Sequence, residues 1–292
     1  MSKSIQSNPR DPSLLEQRAR LYTHLGRYDE AAREFAAALA KGDYEIQRRS
    51  VDSAMRHDQV FSRVANLLPH DTWLRNVRGQ FFAYRGHWQR AVREYEPFIE
   101  PYRVGGATEE YARLLLLTGN DEEYRRLCRR LSAHFGEPDT AGAAYLLVSI
   151  CTAGPRSGVE PERIVQWDEQ AVAASRIDLY LFALGAANYR AGRYERAVEC
   201  MEESDARWGT QRTANVFFLA MAFHRLGQHE KSRKCYDIGL EVLRSAAPPP
   251  DTDDPATINL GGWLHLNVTH REAKAVLGLT EKEVPQTEKR VP

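Results

Sequence analysis

One glycine pattern recurs along the chain and restricts the possible folds more than any other feature. In HLGRYDEAAREF (24–35) the glycine interrupts a helical pattern, and an aromatic, an alanine and a second aromatic follow it by two, five and nine positions. Four further copies align on their glycines: YRGHWQRAVREY (84–95), LTGNDEEYRRLC (117–128), RAGRYERAVECM (190–201) and RLGQHEKSRKCY (225–236). The glycines are 60, 33, 73 and 35 residues apart, which predicts a degenerate copy in each long gap.

Each copy predicts a hairpin of two helices. Apolar residues recur three and four positions apart before the glycine, as in a helix with one buried face. The glycine can end that helix in a left-handed conformation. In the next helix, small Ala31 allows close approach and large Phe35 fills the space behind it. A second small residue precedes each glycine by seven positions: Ala19, Gly79, Ala112, Gly185 and Ala220.

This order of small residue, glycine, aromatic, alanine and aromatic resembles the tetratricopeptide repeat (TPR), a helix–turn–helix unit of about 34 residues. The resemblance implies an all-α fold: a right-handed superhelical α-solenoid of about seven TPR-like hairpins with a C-terminal capping helix. The later copies depart from the pattern. Asp121 and His229 replace the aromatic residue after the glycine, and Tyr124 and Ser232 replace the alanine.

The hairpins and flanking segments can be placed along the chain. We expect a flexible N-terminus over 1–11 and hairpins near 12–43, 44–70, 72–104, 107–136, 140–175, 177–210 and 212–244. The 154–161 loop is longer than a hairpin turn, so it should protrude, and it is where the array can kink.

The chain changes character after the last hairpin. Proline and aspartate mark 245–256 as a linker, because proline does not continue a helix. Residues 257–278 predict a helix that caps the end of the array, although Gly261 and Gly262 favour a break at its start. Residues 279–292 are expected to form a flexible tail.

Charge and composition exclude some classes of function. Lys+Arg and Asp+Glu both number 40, which gives no basic surplus for nucleic acid or an anionic membrane. The N-terminus lacks the apolar core of a signal peptide. The uncharged run Thr140–Pro155 is shorter than the ~20 residues that cross a bilayer. Four separated cysteines, without a C-x-x-C pair, favour a reduced, cytoplasmic protein in which cysteine packs as an apolar residue.

No catalytic motif is present in the sequence. Nucleophile-elbow, zinc-protease, phosphate-loop and protein-kinase signatures are all missing. His224 and His229, like His265 and His270, are five residues apart, which would place them on diverging faces of one helix rather than on a shared metal site. We therefore expect no enzyme activity, no cofactor and no metal.

Function is instead expected on the concave groove, which first helices line in stacked hairpins. Positions at fixed distances before each glycine predict a partner-binding set: Arg20, His24, Asn76, Gln80, Tyr84, Arg113, Phe182, Tyr189, Arg190, Phe217, Met221, His224 and Arg225. Aromatic residues and arginine are common interface anchors, so an extended or helical peptide with an apolar anchor and an acidic group would suit the groove. The alternative for the aromatics is contact with neighbouring helices.

The last third of the chain carries a second resemblance. FFLAMAFHRLGQHEKSRKCYDIGLEVL, the linker and a tryptophan-containing helix ending in HREAKAVLG resemble the C-terminal TPR region of large bacterial serine/threonine protein kinases and related signalling proteins. The resemblance implies a free-standing relative or an excised portion, since this chain has no room for a kinase domain.

We therefore expect a non-catalytic scaffold that binds a partner protein or peptide, as a monomer or weak homodimer, without nucleic acid or membrane. Two alternatives stay open. One is an RNA-binding helical-repeat protein, which the neutral net charge does not support. The other is an α/α-barrel enzyme, which would need paired carboxylates in a central cavity.

Overall fold

The computed structural model describes residues 11–99, 105–208, 215–247 and 259–279. Over these ranges α-helices are joined by turns and short loops, and no β-strand occurs. The predicted all-α class is therefore confirmed. Within each of the two compact units described below, helices that follow one another in the chain pack together. The right-handed superhelical path stays a prediction.

The chain divides into two compact units between Tyr84 and Arg85. This division falls inside the predicted hairpin 72–104 and not at the 154–161 loop, where the sequence placed a possible kink. The described part of the first unit consists of α1 (Pro12–His24), α2 (Tyr28–Lys41), α3 (Tyr44–Met55), α4 (Asp58–Leu67) and α5 (Thr72–Tyr84).

The second unit continues the alternation of helices. Its described helices are α6 (Trp88–Tyr95), α7 (Gly106–Leu117), α8 (Asp121–Phe135), α9 (Ala141–Thr152), α10 (Pro161–Ala174), α11 (Asp178–Arg190), α12 (Tyr194–Trp208), α13 (Val216–Arg225), α14 (His229–Ala246) and α15 (Leu260–Val276). A short 3-10 helix, Glu96–Phe98, follows α6. Two α-helices thus correspond to each predicted hairpin; the first helices are α1, α3, α5, α7, α9, α11 and α13.

The five anchoring glycines all form the predicted corners. Their φ angles are positive: 70° at Gly26, 71° at Gly86, 74° at Gly119, 77° at Gly192 and 73° at Gly227. After Gly26, the Arg27 N–H donates to the Tyr22 carbonyl at 2.9 Å, and equivalent bonds follow Gly119, Gly192 and Gly227. These bonds satisfy carbonyls at the helix end, and glycine meets the left-handed geometry without strain.

The small residues of the repeat pattern are buried in the described helices. Ala19, Ala31, Ala197 and their counterparts are buried, and the large residues Phe35, Tyr95 and Met201 are buried behind them. At Gly185, a Cβ atom would lie only 2.6 Å from Met201 Cγ. The predicted roles of the small and large positions are therefore confirmed.

Two departures from the repeat pattern carry their own hydrogen bonds. Ser232 donates its hydroxyl to the Ala220 carbonyl at 2.7 Å. The Tyr124 hydroxyl lies 2.9 Å from the Ile150 carbonyl oxygen, to which it donates, and accepts from the Gly154 N–H at 3.0 Å. A polar atom that replaces the alanine methyl group thus ties the second helix to backbone on its neighbour.

The Tyr124 contact changes the expected position of the 154–161 loop. Gly154 and Ser157 are buried, whereas Pro155 and Arg156 are exposed. The prediction that this loop protrudes is wrong for its buried residues, because Tyr124 holds the beginning of the loop against the helices.

The C-terminal boundaries differ slightly from those predicted. Helix α14 continues to Ala246, two residues into the predicted linker. The break expected at Gly261 and Gly262 is wrong, because both lie in the first turn of α15 and the Asn259 side chain accepts from the Gly262 N–H at 2.9 Å. The remaining linker residues 248–256 and the segments 1–10 and 280–292 lie outside the described residues.

The uncharged run Thr140–Pro155 becomes a helix of 12 residues, α9. In the part of the chain that the structure describes, no helix combines the length and apolar character needed to cross a bilayer.

Candidate partner-binding groove

The predicted groove residues of the first unit keep access to solvent. Arg20 and His24 are exposed on α1, where the Arg20 guanidinium pairs with Glu16 one turn earlier. Leu21 and Leu25 beside them are 52% and 69% exposed. The other predicted residues of this unit, which are half-buried on α5, are Asn76, Gln80 and Tyr84.

In the second unit most of the predicted residues are covered. The buried ones are Arg113, Phe182, Tyr189, Phe217 and Met221. The Arg190 side chain is 6% exposed. His224 is half-buried and Arg225 is exposed at the end of α13. In this unit the predicted groove aromatics are therefore in contact with neighbouring helices, which is the alternative that the sequence left open, and the groove is covered by the chain itself.

Helix α15 lies against the first helices of three hairpins. It packs against α7 and α13, and it contacts α11 through side chains. The helix covers α13 and α14 of the last hairpin, as expected of a cap, and it also reaches α7, which belongs to an earlier hairpin. The position of α15 has a physical cause. The first helices share an apolar, aromatic surface, and α15 removes this surface from water.

Aromatic rings line the contact between α15 and the first helices. The His265 ring lies 5.5 Å from Phe182 and 6.1 Å from Phe218, measured between ring centroids. The His270 ring lies 5.3 Å from Phe217. Predicted groove aromatics therefore touch a helix, as expected of a ligand, but the helix belongs to the same chain.

Two polar contacts fix the C-terminal half of α15. His270 Nε2 lies 3.0 Å from the Tyr236 hydroxyl. The Arg271 guanidinium donates to the Leu117 carbonyl at 2.6 Å and lies 4.9 Å from the centroid of the Trp88 ring. These contacts connect α15 to α14, α7 and α6 and therefore define its register.

The most specific contact is the ion pair between Arg190 and Glu272. Both guanidinium NH₂ groups donate to the carboxylate, and the Nη2–Oε2 distance is 2.7 Å. The Glu272 side chain is only 13% exposed. Burial alone would lower the pKa of Arg190, but the charge and hydrogen bonds of Glu272 raise it above its ordinary value. The pair is therefore charged, bidentate and largely shielded from water.

The rest of the Arg190 guanidinium is also engaged. Its Nε–H donates to the Thr152 carbonyl at 2.9 Å, at the end of α9. The guanidinium carbon lies 5.1 Å from the centroid of Phe218 and 5.5 Å from that of Tyr189. Arg190 is thus positioned by protein groups on several sides, and one side is presented to a carboxylate.

Arg113, on α7, binds other partners. Its guanidinium donates to Ser149 Oγ at 3.0 Å and to Glu109 at 3.2 Å, and Ser149 hydrogen-bonds to the same carboxylate. This cluster joins α7 to α9. It uses a predicted partner-binding arginine for packing between first helices.

The described residues do not form a metal-binding cluster of three or more His, Cys, Asp or Glu side chains. His224 and His229 lie on opposite sides of the Gly227 turn, with ring centroids 5.2 Å apart, and not on one helix as expected. Burial, together with the charge of His229, lowers the pKa of His224.

Asp168 is a buried carboxyl group that the sequence did not single out. It lies on α10 in a wholly buried position, and neither carboxyl oxygen has a hydrogen-bond partner among the described residues. Burial raises its pKa to about 8. A second carboxylate placed for acid–base catalysis would be needed for an α/α-barrel enzyme, and no contact of Asp168 with one is present in the described residues.

No protein-family model and no curated protein matches this chain. Its function is therefore inferred from the groove and the helix that it holds.

Proposed function

We propose that this protein is a non-catalytic scaffold that binds a helical segment of a partner protein on the first helices of its second unit. The observation that carries the proposal is the bidentate Arg190–Glu272 pair between these helices and α15. It supports the proposal because it pairs a fixed cation with a carboxylate on a helix. The expected ligand, with an apolar anchor and an acidic group, has the same chemistry.

We also propose that the hairpins form a tetratricopeptide-like solenoid. Supporting features are the five left-handed glycine corners and the paired small residues, which would let hairpins stack at one spacing. A role as a regulatory module in a bacterial signalling system, beside a protein kinase, follows from sequence resemblance only. We also propose a reducing compartment such as the cytoplasm, because the four cysteines are free.

A partner captured by the full chain provides the test. Residue-specific cross-linking to the purified complex should place the partner on α7, α11 or α13, and the captured segment should be helical. Cross-links confined to the outer helices α8 and α12, or binding that depends on RNA and collapses with added salt, would contradict this function.

A suitable control lies on α8, outside the groove. Arg125 and Arg129 pair with Glu122, and Arg126 pairs with Glu123, on an exposed face. Arg126→Ala should leave the captured partner and its affinity unchanged. A loss of the partner in this variant would assign binding to the arginine row of α8 instead.

A further inference from the structure

The N-terminal half of helix α15 is buried on all sides. Trp263, Leu264, His265 and Leu266 are consecutive and all buried. Because successive residues of a helix point about 100° apart, four in a row face every direction. The first helices, together with α6 and α14, therefore form a groove that surrounds this half of the helix, rather than a flat surface against which it rests.

Three of the nine buried residues of α15 have polar side chains. His265, Thr269 and His270 are buried beside its leucines. Such groups gain less from burial than apolar ones and need specific partners. In sequence, a proline- and aspartate-rich run at 248–258 separates this helix from α14. α15 thus has the character of a ligand bound to a receptor more than that of a purely apolar core helix.

The pairing of charges restricts what can fill the groove. If α15 leaves, Arg190 loses the carboxylate that compensates its charge, although it keeps its contacts with Thr152, Tyr189 and Phe218. An uncompensated charge in a shielded site is unfavourable. Any replacement helix must therefore bring its own carboxylate to Arg190.

The position of that carboxylate follows from Phe218. His265 stacks on Phe218, and the Arg190 guanidinium that binds Glu272 lies over the same ring. Residues 265 and 272 are seven apart, so they share one face of the helix at a separation of about 10 Å. The groove is therefore complementary to a helix that carries a ring and, seven residues later, a carboxylate.

We propose that this groove binds in trans a partner helix with an aromatic or imidazole ring at position i and a carboxylate at i+7, and that α15 is the internal competitor that keeps the groove filled. The inference rests on the proposed function. It adds the chemistry of the partner and a condition on binding: the Arg190–Glu272 pair must open before a partner can enter. The tethered helix competes at a high effective concentration, so weakening that pair exposes the groove to an outside helix.

The test uses the full chain with Glu272→Gln, and a fluorescein-labelled peptide with the sequence of residues 259–279 as the probe. Fluorescence anisotropy should show the peptide binding the variant at least ten-fold more tightly than the wild-type chain. The same peptide with glutamine in place of its glutamate should lose at least ten-fold in affinity. Glu199→Gln, which removes an exposed pair with Arg196, is the control and should behave as wild type.

Hydrogen exchange of residues 260–276 reports the release of α15 independently. Faster exchange in Glu272→Gln with peptide binding supports the inference. Equal peptide binding by wild type and variant overturns internal competition but leaves helix binding in place. Faster exchange without peptide binding overturns binding in trans and the proposed function with it. Unchanged exchange overturns the role of the Arg190–Glu272 pair.

A second form of the protein covers the case in which Glu272→Gln does not fold. A specific protease site inserted between Pro250 and Asp251 allows the folded wild-type sequence to be cut without removing any residue. After the cut, labelled peptide should replace the native α15 fragment, and native mass spectrometry should detect the exchange. A fragment that stays bound for days against excess peptide would contradict an exchangeable helix.

Discussion

The Tyr124 hydroxyl accepts a hydrogen bond from the Gly154 N–H at 3.0 Å and lies 2.9 Å from the Ile150 carbonyl oxygen. The ring itself is buried where other copies of the repeat carry a small residue. A single side chain therefore fills the contact between α8 and α9 and also fixes the start of the 154–161 loop.

Tyr124→Phe tests this double role. The change leaves the buried Gly154 N–H without its acceptor, so the free energy of unfolding should fall by about 1–3 kcal/mol. Chemical denaturation measures the loss, and hydrogen exchange should show the Gly154 amide opening faster. Tyr194→Phe is the control, at a half-buried tyrosine whose ring lies 5.6 Å from that of Tyr189. Equal losses in both variants would show that the Tyr124 hydroxyl is dispensable.

The close approach at Gly185 predicts opposite effects for two glycine substitutions. In Gly185→Ala the new Cβ would lie 2.6 Å from Met201 Cγ and 3.2 Å from the Ala197 carbonyl oxygen, so we expect a loss of about 1–3 kcal/mol in unfolding free energy. Gly142→Ala meets no atom within 4 Å and should gain up to about 1 kcal/mol through helix propensity. Denaturant unfolding compares the two. A gain in both variants would mean that α11 and α12 separate easily.

The local parts of this fold could be predicted from the sequence because each depends on a few neighbouring residues. Gly26 and Gly227 end helices through their own backbone conformation, and Ala31 and Phe35 report the contact within one hairpin. The division between Tyr84 and Arg85 has no such local signal. The position of this division depends on contacts between helices that are far apart in the chain.

The position of α15 could not be predicted by the same reasoning, because it depends on contacts between distant segments. Arg190 and Glu272 are 82 residues apart in the chain. One signal was present: all residues from Val216 to Phe223 are apolar and buried, and a helix that is apolar all round is covered on both sides. Gly278, with φ of 68°, also ends α15 as the anchoring glycines end first helices.

Burial predicts an order of reactivity for the four free thiols. Cys128, Cys151 and Cys200 are buried, whereas Cys235 is half-buried. A hydrogen bond with Cys128 and burial raise the pKa of Cys151, and burial raises that of Cys200, so both stay protonated and unreactive near neutral pH. Mass spectrometry after brief alkylation of the native chain should find Cys235 modified first. Cys235→Ser should remove this fast phase, and fast modification of Cys128 would contradict the packing of α8.

The buried Asp168 carboxyl predicts a stability that depends on pH. Burial raises its pKa from the ordinary value of 3.8 to about 8. Below pH 3.8 both the folded and the unfolded chain hold the proton, and the full stability is present. As pH rises toward 8, the unfolded chain releases the proton and the folded chain keeps it. The free energy of unfolding therefore falls by about 1.4 kcal/mol per pH unit from this group.

Asp168→Asn removes the ionisable group but keeps its size. The difference in unfolding free energy between this variant and the wild type should grow in favour of the variant from about pH 4 to pH 8 and then level off. Denaturant titrations at one-unit pH steps measure it, with Asp139→Asn as the control at an exposed position. Constant terms, such as the burial of the amide, shift the whole curve and leave its slope unchanged. A difference that does not vary with pH would show that Asp168 is ionised in the folded protein, with a compensating cation or water beside it.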